Sequence, residues 1–338
     1  MLLDHSSKYN VPLVFTHHTL YEENVHYVPG NQEALKKFVI ELSTGYAKLA
    51  DQVIAPSESV MKLLQERGVT TAINVVPTGI DNLLFVKGNR DDFRRKFNIP
   101  LEAFVIGHLG RLAPEKNVEF ITKAACAFLK NEPSAHLMIA GKGTFEENII
   151  DICQLEGLSD RLHMVGIVKG QELIDAYFAM DVFAFASQSE TQGMVLTEAM
   201  AAGIPVVAVD APGVREVVRD YVNGRLLMQE NITDFLTALT WVKNQSSEDL
   251  AKIKNYCRET AKQFAMEISL DKICIVYKSC IRDGFVRKDV EGNFLESTMR
   301  LIQAQWGLTA NLGKATAAMM RKLLSTTSTV NVNEAAFV

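Results

Sequence analysis

Short apolar runs alternate along the chain with longer stretches in which apolar residues recur at helical spacing. Val182, Phe183 and Phe185 form one run and residues 205–209 another. Between them, 194–202 is a row of good helix formers closed by Gly203. Read the same way, the chain predicts strands over 11–15, 51–56, 73–76, 104–108, 136–140, 162–165 and 225–228. Helices are predicted over 31–50, 58–67, 118–129, 171–178, 232–243, 247–264 and 270–281, with a charged helix opening at Arg90. Ser57 is a candidate N-cap and Gly68 a stop. Strands that are apolar throughout, rather than alternating, belong to parallel sheets covered on both faces, so the pattern points to an α/β fold.

That pattern says where chemistry should sit. In a doubly wound unit, the loops after the strands' carboxyl ends and the helix starts that follow hold the ligand, because free N–H groups and the positive helix end point there. Glu190 lies just before the 194–202 helix and Glu198 about one turn inside it. A helix start favours an anion; two carboxylates, which only accept hydrogen bonds, favour a partner rich in hydroxyls. A nucleotide-sugar meets both demands. Acids at a helix start also stabilise the helix by ~0.3–1 kcal/mol with no ligand at all, so the pair alone leaves a plain buried strand–helix–strand open.

A second loop, GRLAPEKN over 110–117, carries Arg111 and Lys116 around the start of the next helix. A guanidinium fork, an ammonium and helix amides would make a diphosphate cradle; the same cations could equally be solvated surface charges. Gly141 and Gly143 allow either close approach to a ligand or tight packing. After the first strand, THHTLYEENVHY holds His17, His18 and His26. Their spacing matches no zinc pattern, which predicts one hydrogen-bonding or acid–base imidazole with the others at the surface.

Composition narrows the classes. A chain of 338 residues with 48% hydrophobic content suffices for two cored domains, and a net charge of −5 gives no bulk attraction to nucleic acid. The five cysteines form no CxxC pair, consistent with reduced thiols in a cytosolic protein. No apolar run reaches the ~18–20 residues that span a bilayer, and the start MLLDHSSKYN lacks a signal pattern. The expectation is a cytoplasmic protein, at most peripheral on the inner face of the membrane.

Glu190, seven residues, Glu198 and then AMAAGIPVVA resemble the E-x7-E motif and its EAMA-x-G-x-P-V-V sequel in family 4 retaining glycosyltransferases of the GT-B fold. The 110–117 segment is similar to that family's G-R-x3-E-K, PTGID to its N-G-[VI]-D turn, LMIAGKG to its strand ending G-x-G, and Gly213 with Glu216 to its G-x-x-E turn. The resemblance implies two Rossmann-like domains with parallel sheets, the first one incomplete. It also implies hexose transfer to a hydroxyl with retention, from a nucleotide-diphosphate sugar such as UDP-glucose or GDP-mannose, with no resident cofactor or metal.

Residue by residue, the resemblance implies that Arg111 and Lys116, beside Gly110, hold the donor's phosphates. Glu190 would hold hydroxyls of the sugar and Glu198 those of the ribose, with Thr191, Gly193, Met194 and Val195 around the helix start. The loop at Val168 would meet the base, and His18 would lie near the sugar's reacting end. His18 and Glu190 are thus the candidate catalytic residues. Glu190 acts by contact rather than as a covalent nucleophile, since the resemblance implies a front-face path in which the leaving phosphate helps deprotonate the acceptor. Loops of the form HT-x-YE-x-Y-x-HY occur in enzymes that glycosylate lipids such as diacylglycerol, although Asn24 stands here where a second tyrosine is usual.

The resemblance divides the chain into a partial acceptor-side domain (1–88), a nucleotide-sugar domain (89–265), a crossover helix (266–283) and an extra helical or disordered tail (284–338). It begins partway into the family's first domain, without the strands and glycine-rich loop that normally precede a segment like PLVFTHHT. Such a half-sheet predicts poor stability or association for the chain alone. In the tail, Arg300, Lys314, Arg321 and Lys322 among apolar residues would suit an anionic bilayer, or a helix packed on the protein itself. Two other readings stay open: a truncated, noncatalytic nucleotide-sugar-binding module or partner subunit, and an epimerase or phosphorylase of related GT-B shape. The E-x7-E and GR-x3-EK pair speaks against the latter.

Overall fold

The computed structural model describes residues 11–27, 31–290 and 314–316. The chain divides into two compact units: the described residues of Met1–Val76 with Asp271–Val338, and Pro77–Leu270. In the first, β1 (Val14–Thr16), β2 (Gln52–Ala55) and β3 (Ile73–Val75) form a parallel sheet in that order. Helix α1 (Gln32–Leu49) starts at Asn31 and α2 (Glu58–Glu66) at Ser57, each with the side-chain oxygen accepting from a first-turn amide. The central strand is apolar on both faces. Val53 and Ala55 pack with Ala47, Val60 and Leu64, while Ile54 packs with Val76 and Val276.

The second unit holds α3 (Arg90–Lys96), β4 (Phe104–Leu109), α4 (Val118–Asn131), β5 (Ala135–Ala140), α5 (Glu146–Leu155), β6 (Leu162–Gly166), α6 (Gln171–Phe178), β7 (Val182–Phe185), α7 (Met194–Ala201), β8 (Val206–Val209), β9 (Gly224–Leu227), α8 (Ile232–Lys243) and α9 (Ser247–Lys262). Its six strands are parallel, in the order β6-β5-β4-β7-β8-β9. Counted from β4, that is 3-2-1-4-5-6, the doubly wound order, whose ligand crevice opens outside the carboxyl ends of the two strands at the switch point, here β4 and β7.

Period-two alternation sorts each strand between two cores. Val105, Phe183, Phe185, Val206 and Ala208 face α3, α6, α7 and α9. Ile106, Leu137, Ile139, Val182, Ala184, Val207 and Val209 face α4, α5 and α8. With ~1.5–3 kcal/mol for each large apolar side chain buried, both faces hold the sheet rigid and fix where its loops emerge.

One polar side chain works inside this core. Arg94 is fully buried, donating to the carbonyls of Ala179, Leu101 and Ala103 and to Asp181 Oδ2 at 2.8 Å. It locks α3 onto the turn that leads into β7. The charged helix expected from Arg90 is thus present, with one of its arginines turned into the core.

The last helix differs from expectation. Apolar spacing put it over 270–281 and the family resemblance put a crossover helix over 266–283; it runs as α10, Met266–Val290, starting where the resemblance placed it. Its start is set by tertiary pairing: Ile80 N–H donates to Phe264 O at 2.9 Å and Met266 N–H to Ile80 O at 3.0 Å, which ends α9 early and launches the next helix. The extra tail expected over 284–338 lies outside the described residues, apart from 284–290 and 314–316. No helix among the described residues is long and apolar enough to cross a membrane.

Candidate functional site

Two loops leave the switch point. The loop after β4 carries Gly110 and Arg111 and then a short 3₁₀ turn, Pro114–Lys116, with Glu115 and Lys116; the loop after β7 carries residues 186–193 into α7. The first is buttressed from below by the loop after β5. Gly110 N–H donates to Ala140 O and Leu112 N–H to Lys142 O, both at 3.0 Å. A Cβ on Gly141 would lie 1.8 Å from Gly110 O, and one on Gly143 2.1 Å from Leu112 O. Of the two roles left open for these glycines, the structure assigns tight packing against the Arg111 loop.

Glu115 stitches the two loops together. Its carboxylate pairs with Arg111 at 2.7 Å, and its main-chain oxygen accepts from Ser187 Oγ at 3.2 Å and Gln188 N–H at 3.3 Å. The Glu115 side chain is buried while the Arg111 guanidinium is exposed. Lys116 then meets Glu190: Nζ donates to Oε2 at 3.0 Å. The other oxygen of Glu190 accepts from Gly193 N–H at 3.3 Å, and its main-chain oxygen from Gly213 N–H at 3.0 Å.

Gly193, at φ +76°, opens α7 in the left-handed region without a capping side chain. Among the described residues nothing accepts from the first-turn amides of Met194 and Val195, so they and the positive helix end are open to a ligand. Gly213 was expected to serve a turn. It does lie in one, with Val214 N–H donating to Ala211 O at 2.9 Å; its φ is ordinary, and a Cβ there would lie 2.3 Å from Gln192 N, so the position also requires a close backbone approach.

Glu198 sits on α7 and accepts from Tyr177 Oη at 2.7 Å. Burial raises its pKa, and the tyrosine hydrogen bond acts against that rise. Thr191 is half-buried, Val195 packs on the core, and Val168 packs there from the loop after β6. His18 follows β1 in the first unit and is exposed, its pKa lowered by partial burial. The expectation that the other histidines of that loop are surface groups fails for His17. It is buried because the strand's alternation turns it inward, with its N–H donating to Ile54 O at 2.9 Å and its ring beside Phe15 and Tyr21. In the same loop Glu22 is buried against Arg67.

Three residues of the site escaped sequence reasoning. His108 ends the buried part of β4, with Nδ1–H donating to Ala184 O at 3.0 Å and Nε2 buried without a partner. Burial pushes its pKa down to about 4, and the Lys116 charge acts in the same direction, so it is neutral at pH 7. Gln192 clasps the main chain of Thr78, accepting from its N–H and donating to its carbonyl, both at 2.7 Å. Tyr177 is the third. Each is an ordinary residue in a helix, strand or loop until the fold brings its partner to it.

A family model described as Glycosyl transferases group 1 matches residues 89–263, more than half of the 338-residue chain. The chain belongs to that family. A second model, Glycosyltransferase Family 4, matches residues 1–82. Alpha-monoglucosyldiacylglycerol synthase of Streptococcus pneumoniae is 31% identical over 226 residues, covering 65% of this chain and 51% of that protein. GDP-mannose-dependent alpha-mannosyltransferase of Mycobacterium tuberculosis is 33% identical over 180 residues, covering 53% and 44%. The chain thus spans about half the length of the curated relatives it matches. Among solved structures, Anabaena HepE in complex with UDP and glucose is similar with a TM-score of 0.68 at 23% identity, over 79% of this chain and 72% of that one. That likeness is one of fold, and it agrees with the GT-B architecture expected for the family.

Proposed function

We propose that this protein transfers a hexose from a nucleotide-diphosphate sugar to an acceptor hydroxyl. The observation that carries the reading is the ion pair of Lys116 with Glu190 at 3.0 Å, because it places a cation suited to a phosphate against a carboxylate suited to a sugar in one crevice. Transfer releases a nucleoside diphosphate, and its growing negative charge is what a catalyst must stabilise. Arg111, Lys116 and the open amides of Met194 and Val195 supply positive charge there without calling on a metal. Glu190 holds sugar hydroxyls and Glu198 the ribose.

Retention follows from the family resemblance, along the front-face path in which the leaving phosphate takes the acceptor's proton. For the acceptor we assign a membrane lipid such as diacylglycerol, supported by the THHTLYEENVHY loop and by the S. pneumoniae relative's name. The relatives' names support glucose or mannose as the hexose.

The test is donor turnover, followed with isotope-labelled UDP-glucose and GDP-mannose, in the full chain and in folded Lys116→Ala and Glu198→Ala variants. Turnover lost in both variants is expected, and undiminished turnover in either removes the assignment. Donor binding without any turnover in the parent chain would instead identify a nucleotide-sugar-binding module.

A further inference from the structure

The loop into α7 and α7 itself each carry a carboxylate, and the protein treats the two differently. Glu190 is neutralised by a cation, whereas the group that touches Glu198 is a neutral donor, the Tyr177 hydroxyl at 2.7 Å. Among the described residues nothing else donates to the Glu198 side chain, so Oε1 has no protein partner. Tyr177 has no freedom to move its hydroxyl. It is one of the largest fully buried side chains, with its ring edge-on to Phe85 and tilted on Phe183, each at 5.9 Å between centroids. The hydroxyl is therefore a fixed point in the core, reached from α6, while the carboxylate it holds is carried on α7.

A glutamate has three rotatable bonds, and a half-exposed one would spread over several rotamers. One donor on Oε2 removes that spread and turns Oε1 outward with its lone pairs unspent. Because the donor is uncharged, it brings no positive charge to offset the negative charge of the carboxylate, which is left for a second pair of donors. We propose that Tyr177 is a positioning residue that aims Glu198 at the vicinal diol of the nucleotide's ribose, so that the protein reads a ribonucleoside and not merely a diphosphate. This deepens, and rests on, the assignment of Glu198 to the ribose.

The experiment compares dissociation constants of UDP with 2′-deoxy-UDP, and GDP with 2′-deoxy-GDP, for the full chain and for Tyr177→Phe, Glu198→Gln and Glu198→Asp. The parent should prefer the ribonucleotide. Glu198→Gln should abolish that preference, and Tyr177→Phe should compress it by about 3- to 10-fold, the range expected for one lost hydrogen bond. Glu198→Asp leaves the tyrosine in the core but withdraws the carboxylate from it, and should give the same compression even if Tyr177→Phe fails to fold. Removing the hydroxyl also leaves the effect of burial on Glu198 unopposed, so the acidic limb of ribonucleotide binding should move to higher pH in Tyr177→Phe. A merely structural tyrosine would weaken both nucleotides equally and leave that limb in place.

If Glu198→Gln abolishes the preference while Tyr177→Phe and Glu198→Asp preserve it, the positioning role is wrong and the ribose assignment stands. A preference that survives Glu198→Gln, or a parent chain that binds neither nucleotide, overturns both.

Discussion

Lys116 and Glu190, separated by 74 positions in the chain, are held at 3.0 Å across the crevice between β4 and β7. A ligand phosphate would place a second anion on the ammonium, so the pair sets the local charge balance. Lys116→Ala deletes the cation and leaves the Glu190 carboxylate to repel a phosphate. A loss of at least about 10-fold in UDP or GDP affinity is expected, in line with ~1.5–3 kcal/mol for a charge-assisted hydrogen bond. Glu190→Gln should leave free-nucleotide affinity unchanged or higher, yet lower donor turnover. Calorimetry on both variants checks this; weaker nucleotide binding in Glu190→Gln would contradict a sugar-side role.

Arg94 serves folding rather than chemistry. Truncating it to Ala orphans the carbonyls of Ala179, Leu101 and Ala103 and leaves Asp181 without its buried partner. The expected cost is ~3–5 kcal/mol, the range for breaking a buried ion pair from one side. Denaturant unfolding would read it, and a loss below about 1 kcal/mol would mean that the pocket rehydrates easily.

His108 gives the protein an acid limit. Its pKa falls from 6.5 to about 4 on burial in the fold, so between those values the unfolded chain binds the proton and the folded one does not. The contribution is fully present above pH 6.5 and is lost as pH falls toward 4. Other imidazoles act in the same direction, half-buried His136 also at about 4, so the test is a difference. Between pH 7.5 and pH 5 the parent should lose ~2 kcal/mol more unfolding free energy than His108→Phe. Equal losses would show that this imidazole is solvated in the native state.

A methyl group on Gly141 has nowhere to go. Its Cβ would fall 1.8 Å from Gly110 O, at a φ of +140° that side chains rarely adopt. Gly141→Ala should therefore displace the Arg111 loop while the sheet survives. Faster hydrogen exchange over 110–117 and weaker nucleotide binding are expected, with near-parent exchange in β7 and β8. Unchanged binding would mean that the loop's position does not matter to the ligand.

His18 is carried by the first unit, so it should separate transfer from donor binding. His18→Ala is expected to lower turnover by about 100-fold or more, the usual scale for a positioned imidazole, and to leave nucleotide affinity within about 2-fold of the parent. A matching fall in affinity would assign it to donor binding instead.

Much of this protein was legible without coordinates. Apolar runs marked the strands, Ser57 a helix start, and E-x7-E with GR-x3-EK the residues worth testing. These are local signals, set by neighbours a few positions away, and local physics decides them: N-capping, side-chain periodicity, and the backbone freedom of a glycine such as Gly193. Sequence could name Lys116 and Glu190 but not join them. Their meeting depends on β4 and β7 pairing side by side, a choice of strand order made by burial across the whole sheet. The same holds for Arg94, which looks like any surface arginine of a charged helix until main-chain carbonyls and Asp181 close around it, and for Tyr177, which looks like core until its hydroxyl finds Glu198. Identity of residues and local conformation came from the chain; partners, burial and the resulting pKa values came only from packing, because desolvation depends on what surrounds a group and not on what precedes it.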